Sequence, residues 1–181
     1  MSYITTFTGK HFDPVHVDTD LIDLRDIAHA LSMLCRANGH TRYFFSVAQH
    51  SINCCREAKA RDYTGRVQYA CLLHDAAEAY LSDVTRPVKA ALTAYQETEN
   101  HLLPLIWEKY LGSALTPKET RQVFAIDDLM LSYEFYALMP ETISGDYAQV
   151  LSEPDIRLRS QADVEAEFLA LCREMGTPSG R

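Results

Sequence analysis

The sequence predicts an all-α protein. Three observations predict it: apolar residues recur at helical spacing through most of the chain, cap and stop residues sit between those stretches, and only one short segment alternates like strands. The 181 residues fit one domain spanning 1–181, long enough to bury a sizeable core, and the 47% hydrophobic content is ordinary for a globular chain.

Residues 2–16 read as a short N-terminal β-hairpin turning near Gly9. Asp23 then caps a helix over 24–36, with Ile27, Ala28, Leu31 and Leu34 as its apolar stripe and Asn38-Gly39 at its end. Ser46-Val-Ala-Gln49 is a capping-box pattern, so a helix starts there, runs to about Ala60 and carries His50 in its first turns. Gly65 separates it from a helix over 67–81. The segment from Asp83 to Pro87 reads as a turn. A helical stretch follows from Val88, interrupted near Pro104 and stopping at Gly112. Thr116-Pro-Lys-Glu119 is the clearest helix start in the chain, and that helix reaches Leu138 ahead of Pro140. Residues 141–159 show no period and read as a long surface connection. A last helix over 160–175 is closed by Gly176, and 177–181 form a frayed tail. The bundle's core is thus expected within about 24–140.

Charge and composition exclude several classes. A formal net charge of -8 argues against a broad nucleic-acid surface, so an anionic substrate has to be met by a local cationic patch. No apolar run approaches the roughly 18 residues of a membrane span. The five cysteines are odd in number and contain no C-x-x-C pair, the pattern of reduced thiols in a cytoplasmic protein.

The chemistry concentrates in residues 71–83. On the expected helix His74, Asp75 and Glu78 project within an arc of about 100° while the rest of the circumference is apolar. Burying three ionisable groups costs several kcal/mol unless they are paired or metal-bound. Three expected helices each offer candidate ligands: His50, then His74 with Asp75, then Asp127 or Asp128. Two imidazoles with two carboxylates suit one divalent transition metal, Mn, Co, Zn, Ni or Fe, better than Mg or Ca, which prefer oxygen alone.

The blocks Ser46-Val-Ala-Gln-His50-Ser, Leu73-His-Asp-Ala-Ala-Glu78-Ala-Tyr-Leu-Ser-Asp83, Pro87-Val-Lys89 and Ala125-Ile-Asp127-Asp-Leu129 resemble, in order and spacing, those of the HD-domain metal-dependent phosphohydrolases. The resemblance covers about 25–140. It looks closest to the small bacterial 5'-deoxynucleotidases and the phage-type enzymes that strip triphosphate from deoxynucleotides such as dATP. It implies a helical HD-domain bundle with His50, His74, Asp75 and Asp127 as metal ligands. Glu78 would orient or deprotonate water, Asp83 would lie near the sugar or that water, and Arg36 and Lys89 would grip phosphate. The implied substrate is a deoxynucleotide, cut at a 5'-monophosphate ester or at the alpha phosphate of a triphosphate. The implied assembly is a homo-oligomer, a dimer or larger, in the cytoplasm, that of the host if phage-encoded.

Where the deoxynucleotidases carry an aromatic residue after the arginine, this chain has Ala37-Asn38-Gly39, and Tyr43, Phe44 and Phe45 are the aromatic wall on offer instead. Arg42 and Arg86 are weaker phosphate candidates, and His11, His16, His29, His40 and His101 read as structural or exposed. Two other classes compete: a non-catalytic nucleotide- or metal-binding regulator, and a di-iron HD oxygenase, for which only His101 could supply a further ligand.

Overall fold

A computed structural model of the chain describes residues 3–140 and 149–176. Among them lie eight α-helices and one two-stranded antiparallel hairpin, the all-α fold that the patterning predicts. Strands β1 (Ile4–Thr5) and β2 (His11–Phe12) pair Ile4 with Phe12, and Gly9 turns the chain at φ 83°. The hairpin is fastened to the bundle by Asp26, whose two oxygens accept from the Thr8 amide (2.6 Å) and hydroxyl (2.9 Å).

Helix α1 (Leu24–Met33) starts at the expected cap, the Asp23 carboxylate accepting from the Arg25 amide. It stops short of the expected residue 36. Leu34 is extended, Cys35 bridges to Ser46, and Arg36 opens a short 3-10 turn, Arg36–Gly39, in which Ala37, Asn38 and Gly39 all take positive φ. Helix α2 (Val47–Ala60) begins where the capping box puts it, with the Ser46 hydroxyl accepting from the Gln49 amide at 3.1 Å. It is the central element: nearly every residue is buried, and it packs against α1, α3, α7 and α8.

The expected continuous helix over 67–81 is broken. Helix α3 (Gly65–Leu72) ends at Leu72, residues 73–77 form a turn, and α4 (Glu78–Leu81) resumes the helix. At the break the Cys71 carbonyl accepts from the His74 side chain (Nδ1, 2.7 Å), and the next bonds tighten to the i+3 pattern, Glu78 amide to Asp75 carbonyl at 2.9 Å. His74 and Asp75 therefore sit on a turn inside the bundle, not on an amphipathic arc.

Pro87 belongs to the first turn of α5 (Arg86–Lys89), so the expected Asp83–Pro87 turn is shorter than the proline suggested. Helix α6 (Thr93–Leu111) runs through Pro104 without interruption, because the Asn100 carbonyl left without an amide lies on an exposed face and can reach water. Gly112, left-handed at φ 78°, stops it as expected. Helix α7 (Pro117–Leu138) carries both halves of its capping box, Thr116 hydroxyl from Glu119 amide at 3.3 Å and Glu119 carboxylate from Thr116 amide at 2.7 Å. Helix α8 (Gln161–Gly176) buries Val164, Phe168 and Cys172, one residue per turn, against α1, α2 and α3.

Residues 149–159, read as part of a long surface connection, form no helix or strand and are exposed or half-buried. The extended segment is bonded along the back of α2 through Gln49, Asn53 and Glu57. Residues 141–148, and the tail 177–181 expected to fray, lie outside the described residues. Among the described residues no helix is long and apolar enough to cross a membrane, and all five cysteines are free thiols.

Candidate metal centre and its pocket

Capped α2 brings His50 inward, the break after α3 turns His74 and Asp75 toward it, and α7 supplies Asp127 from the opposite side. His50 Nε2 lies 3.2 Å from His74 Nε2, 3.1 Å from Asp127 Oδ1 and 3.8 Å from Asp75 Oδ2. His74 Nε2 lies 3.3 Å from Asp75 Oδ2 and 3.5 Å from Asp127 Oδ1. Ligand bonds of about 2.1 Å imply ligand-to-ligand edges of about 3.0 Å in an octahedral set and 3.4 Å in a tetrahedral one. The observed separations, 3.1–3.8 Å, straddle the tetrahedral edge and lie just above the octahedral one.

Three of the four are held by a partner on their far side, and Asp75 is held by Arg36 on the same oxygen that faces the histidines. His50 Nδ1 meets Glu134 Oε2 at 2.8 Å, and His74 Nδ1 donates to the Cys71 carbonyl, which turns both Nε2 lone pairs toward one another. Arg36 Nη1 lies 3.3 Å from Asp75 Oδ2, and Arg86 Nη2 lies 2.9 Å from Asp127 Oδ2. The two Nε2 atoms face one another at hydrogen-bond distance, an arrangement that a shared proton or a bound cation satisfies. Burial and the Arg36 charge oppose a charge on His50, yet Cys54 and the Glu134 and Asp127 carboxylates outweigh them and hold its pKa well above the usual imidazole value. Burial likewise works against ionised Asp127, but bonds to His50 and His74 hold it well below the usual carboxylate range. His50, Cys54 and His74 form a buried group that could hold a metal ion, their ligand atoms all within 4.8 Å of one another. The Cys54 Sγ lies 3.5 Å and 3.9 Å from the two ring nitrogens of His50, over the ring face, and burial pushes the thiol up to about 11.

The carboxylates Asp75 and Asp127 also line a cavity of about 360 Å³. Arg36, Glu78, Asp83, Arg86 and Lys89 share its walls, so all the expected site residues except the two buried histidines border one space, and the histidines close its floor through Asp75 and Asp127. Glu78 is buried, and its Oε2 meets no hydrogen-bond partner among the described residues. Its Oε1 lies 3.6 Å from Lys89 Nζ, which bonds Glu99 at 2.7 Å instead. Burial, reinforced by Asp75 and Asp83, pushes the Glu78 carboxyl well above its ordinary value, and burial raises Asp83 too.

The chain is 38% identical over 134 residues to the uncharacterized protein YfdR of Escherichia coli (strain K12), a match covering 74% of this chain and 71% of YfdR. The chain belongs to the YfdR family. A second relative, an uncharacterized protein of Rhodobacter capsulatus (RCAP_rcc00048), is 33% identical over 176 residues, covering 87% of this chain and 86% of its own. No family model matches the sequence.

In this YfdR-family chain, Asp127 rather than Asp128 faces the histidines. Asp128 is exposed, and Arg86 spans both aspartates, Nη1 reaching Asp128 Oδ1 at 2.7 Å. The aromatic wall expected from Tyr43, Phe44 and Phe45 does not line the cavity. Phe45 is buried in the core, Tyr43 donates its hydroxyl to the Ile156 carbonyl, and the apolar wall comes from Leu131 and Phe135 of α7 and Met139 just past its end, at four-residue spacing. His40, set aside as structural or exposed, is exposed at the cavity's rim. His101 is exposed on α6, a helix that contributes no residue to the cavity.

Sequence reading missed Glu134 and Asn53, although Glu134 follows Asp127 by seven residues and so shares its helical face. It also missed Ser82, whose φ of 73° and ψ of 154° put a non-glycine residue where side chains rarely go. The Tyr95 hydroxyl bonds the Ser82 carbonyl at 2.6 Å and holds that strained residue, which delivers Asp83 to the cavity.

Proposed function

We propose that this chain is a divalent-metal-dependent phosphohydrolase of the HD-domain type. It acts on deoxynucleotides and releases either phosphate from a 5'-monophosphate or triphosphate from a deoxynucleoside triphosphate. The observation that carries the reading is the convergence of His50, His74, Asp75 and Asp127 at 3.1–3.8 Å on a pocket that also holds two buried or half-buried cations and a Glu78 oxygen without a hydrogen-bond partner among the described residues. One divalent transition metal bound by those four side chains supplies a Lewis acid toward a phosphoryl oxygen and acidifies water toward a pKa of about 7.

The remaining roles fall to the pocket's own side chains. Glu78 takes the proton of the attacking water at Oε2, and its raised pKa suits a base that must take up and release a proton. Arg36 presents a planar fork to the phosphate and Lys89 a point charge, the local cationic patch that an acidic protein requires. Leu131, Phe135 and Met139 shield the nucleoside side of the cavity from water, and Asp83 accepts from a sugar hydroxyl or from the same water. A panel of deoxynucleoside mono- and triphosphates, offered to protein stripped with chelator and reloaded with Mn²⁺ or Co²⁺, tests the reading. Metal-dependent release of phosphate or triphosphate is expected, and release from none of them refutes it.

A further inference from the structure

Helix α7 buries a second carboxylate that the proposed chemistry leaves without a role. The Glu134 side chain is 2% exposed, a costly place for a charge that only packed against its neighbours. Its Oε2 accepts from His50 Nδ1 at 2.8 Å and lies 3.6 Å from Arg36 Nε; its Oε1 accepts from Asn53 Nδ2 at 3.3 Å. One carboxylate thus touches an imidazole of the ion cluster and the guanidinium at the phosphate side.

Asn53 is fully buried and doubly committed. Its Nδ2 also donates to the Asp155 carbonyl at 3.1 Å, and its Oδ1 accepts from the Asp155 amide at 3.0 Å. The neighbouring turns of α2 grip the same extended segment: Gln49 Nε2 donates to the Asp155 and Arg157 carbonyls, each at 2.9 Å, and Glu57 accepts from the Leu151 and Ser152 amides. A continuous series of hydrogen bonds therefore runs from residues 151–157 through Asn53 and Glu134 to His50.

We propose that Glu134 is a positioning residue for the ion cluster. It fixes the His50 proton on Nδ1, so that the Nε2 lone pair faces the cluster, and it holds Arg36 alongside, with Asn53 bracing it against the 151–157 segment. This rests on the reading of His50 and His74 as metal ligands. Without the carboxylate, the other group near His50 Nδ1 is the Cys54 thiol at 3.9 Å, too weak an acceptor to set the ring.

The test compares Glu134→Ala, Glu134→Gln and Asn53→Ala with the wild type, by Co²⁺ affinity in competition with a chromophoric chelator and by the His50 Nδ1 proton resonance of the Zn²⁺-loaded protein. Glu134→Ala is expected to weaken Co²⁺ binding about 10–100-fold and to lose the slowly exchanging Nδ1 proton. Glu134→Gln keeps one acceptor and the same volume, stays within about threefold of wild type in affinity, and shifts the His50 Nδ1 resonance, a shift that a purely space-filling role does not predict. If Glu134→Ala does not fold, a shifted Nδ1 resonance in Glu134→Gln and weaker Co²⁺ binding by Asn53→Ala carry the same inference. Wild-type affinity and an unchanged Nδ1 proton in the folded variants overturn it. A wild-type protein that takes up no Co²⁺, or a His74→Ala variant that binds it equally well, overturns the metal reading and this proposal with it.

Discussion

Replacing Glu78 by glutamine separates the cost of the site from its use. The Glu78 carboxylate is buried, its Oε2 has no hydrogen-bond partner among the described residues, and the nearest cation, Lys89 Nζ at 3.6 Å from Oε1, is engaged with Glu99. Asp75 and Asp83 add repulsion to the burial penalty. A neutral amide of the same shape relieves both, which should stabilise the metal-free protein by about 1–3 kcal/mol. For a chain of this size that raises Tm by about 2–4 °C for each kcal/mol. The sign follows from a carboxyl raised in the folded state. Its penalty is absent below the ordinary value of 4.5, grows as pH rises toward the folded-state pKa, and is complete above it, so the stability gap between Glu78→Gln and wild type opens with pH. In the metal-loaded protein the same change should lower turnover by about 10²–10⁴-fold with metal content intact, the range for removing a general base. Thermal melts across pH in chelator, metal analysis and a phosphate-release assay read all three. A variant that melts lower than wild type at neutral pH, or that loses its metal, refutes the reasoning.

Glu57→Gln should cost about 2–3 kcal/mol at neutral pH, because the buried carboxylate accepts from the Leu151 and Ser152 amides, the Ser152 hydroxyl and Arg61 Nε. Burial works against the charge, but the Ser152 and Leu151 bonds outweigh it and hold the Glu57 pKa below its ordinary 4.5. The loss seen in denaturant melts should therefore be full above that value and close as pH falls through the folded-state pKa; a gap that persists in acid counts against the account. Ala37→Gly should stabilise the protein by about 1 kcal/mol in the same melts, since Ala37 sits at φ 52° and ψ 35°, where a Cβ is strained. Destabilisation of that size would show the 3-10 turn is held for another reason. Co²⁺-loaded protein should show no thiolate-to-metal absorption band, because the Cys54 thiol lies over the His50 ring face; a strong band lost in Cys54→Ser would make the sulfur a ligand.

What could be read in the sequence was whatever is encoded locally. The caps at Asp23, Ser46 and Thr116 and the stop at Gly112 stand where expected because each rests on one or two side-chain-to-backbone bonds within a few residues. The break after Leu72 was invisible to periodicity, since a turn that keeps apolar residues buried on both sides leaves the pattern unchanged. It depends on His74 taking the Cys71 carbonyl, a choice between two acceptable bonds that tertiary packing decides. Pro104 misled for the converse reason: it sits inside α6 on an exposed face, where water can reach the carbonyl it strands. The candidate ligands were legible as residue types in a pattern, whereas Glu134, Asn53 and the anchoring of 151–157 depend on contacts between residues 80 to 100 positions apart. Such contacts leave no mark in a single chain's spacing.

Titration of chelator-stripped protein with Co²⁺ by calorimetry tests the central claim most directly, run on wild type and on alanine variants of His50, His74, Asp75, Asp127 and Asp128. One ion per chain is expected, with binding weakened at least about 100-fold in each of the first four variants and unchanged in Asp128→Ala. Wild-type protein that binds no ion, or an Asp127→Ala variant that binds as tightly as wild type, contradicts the account.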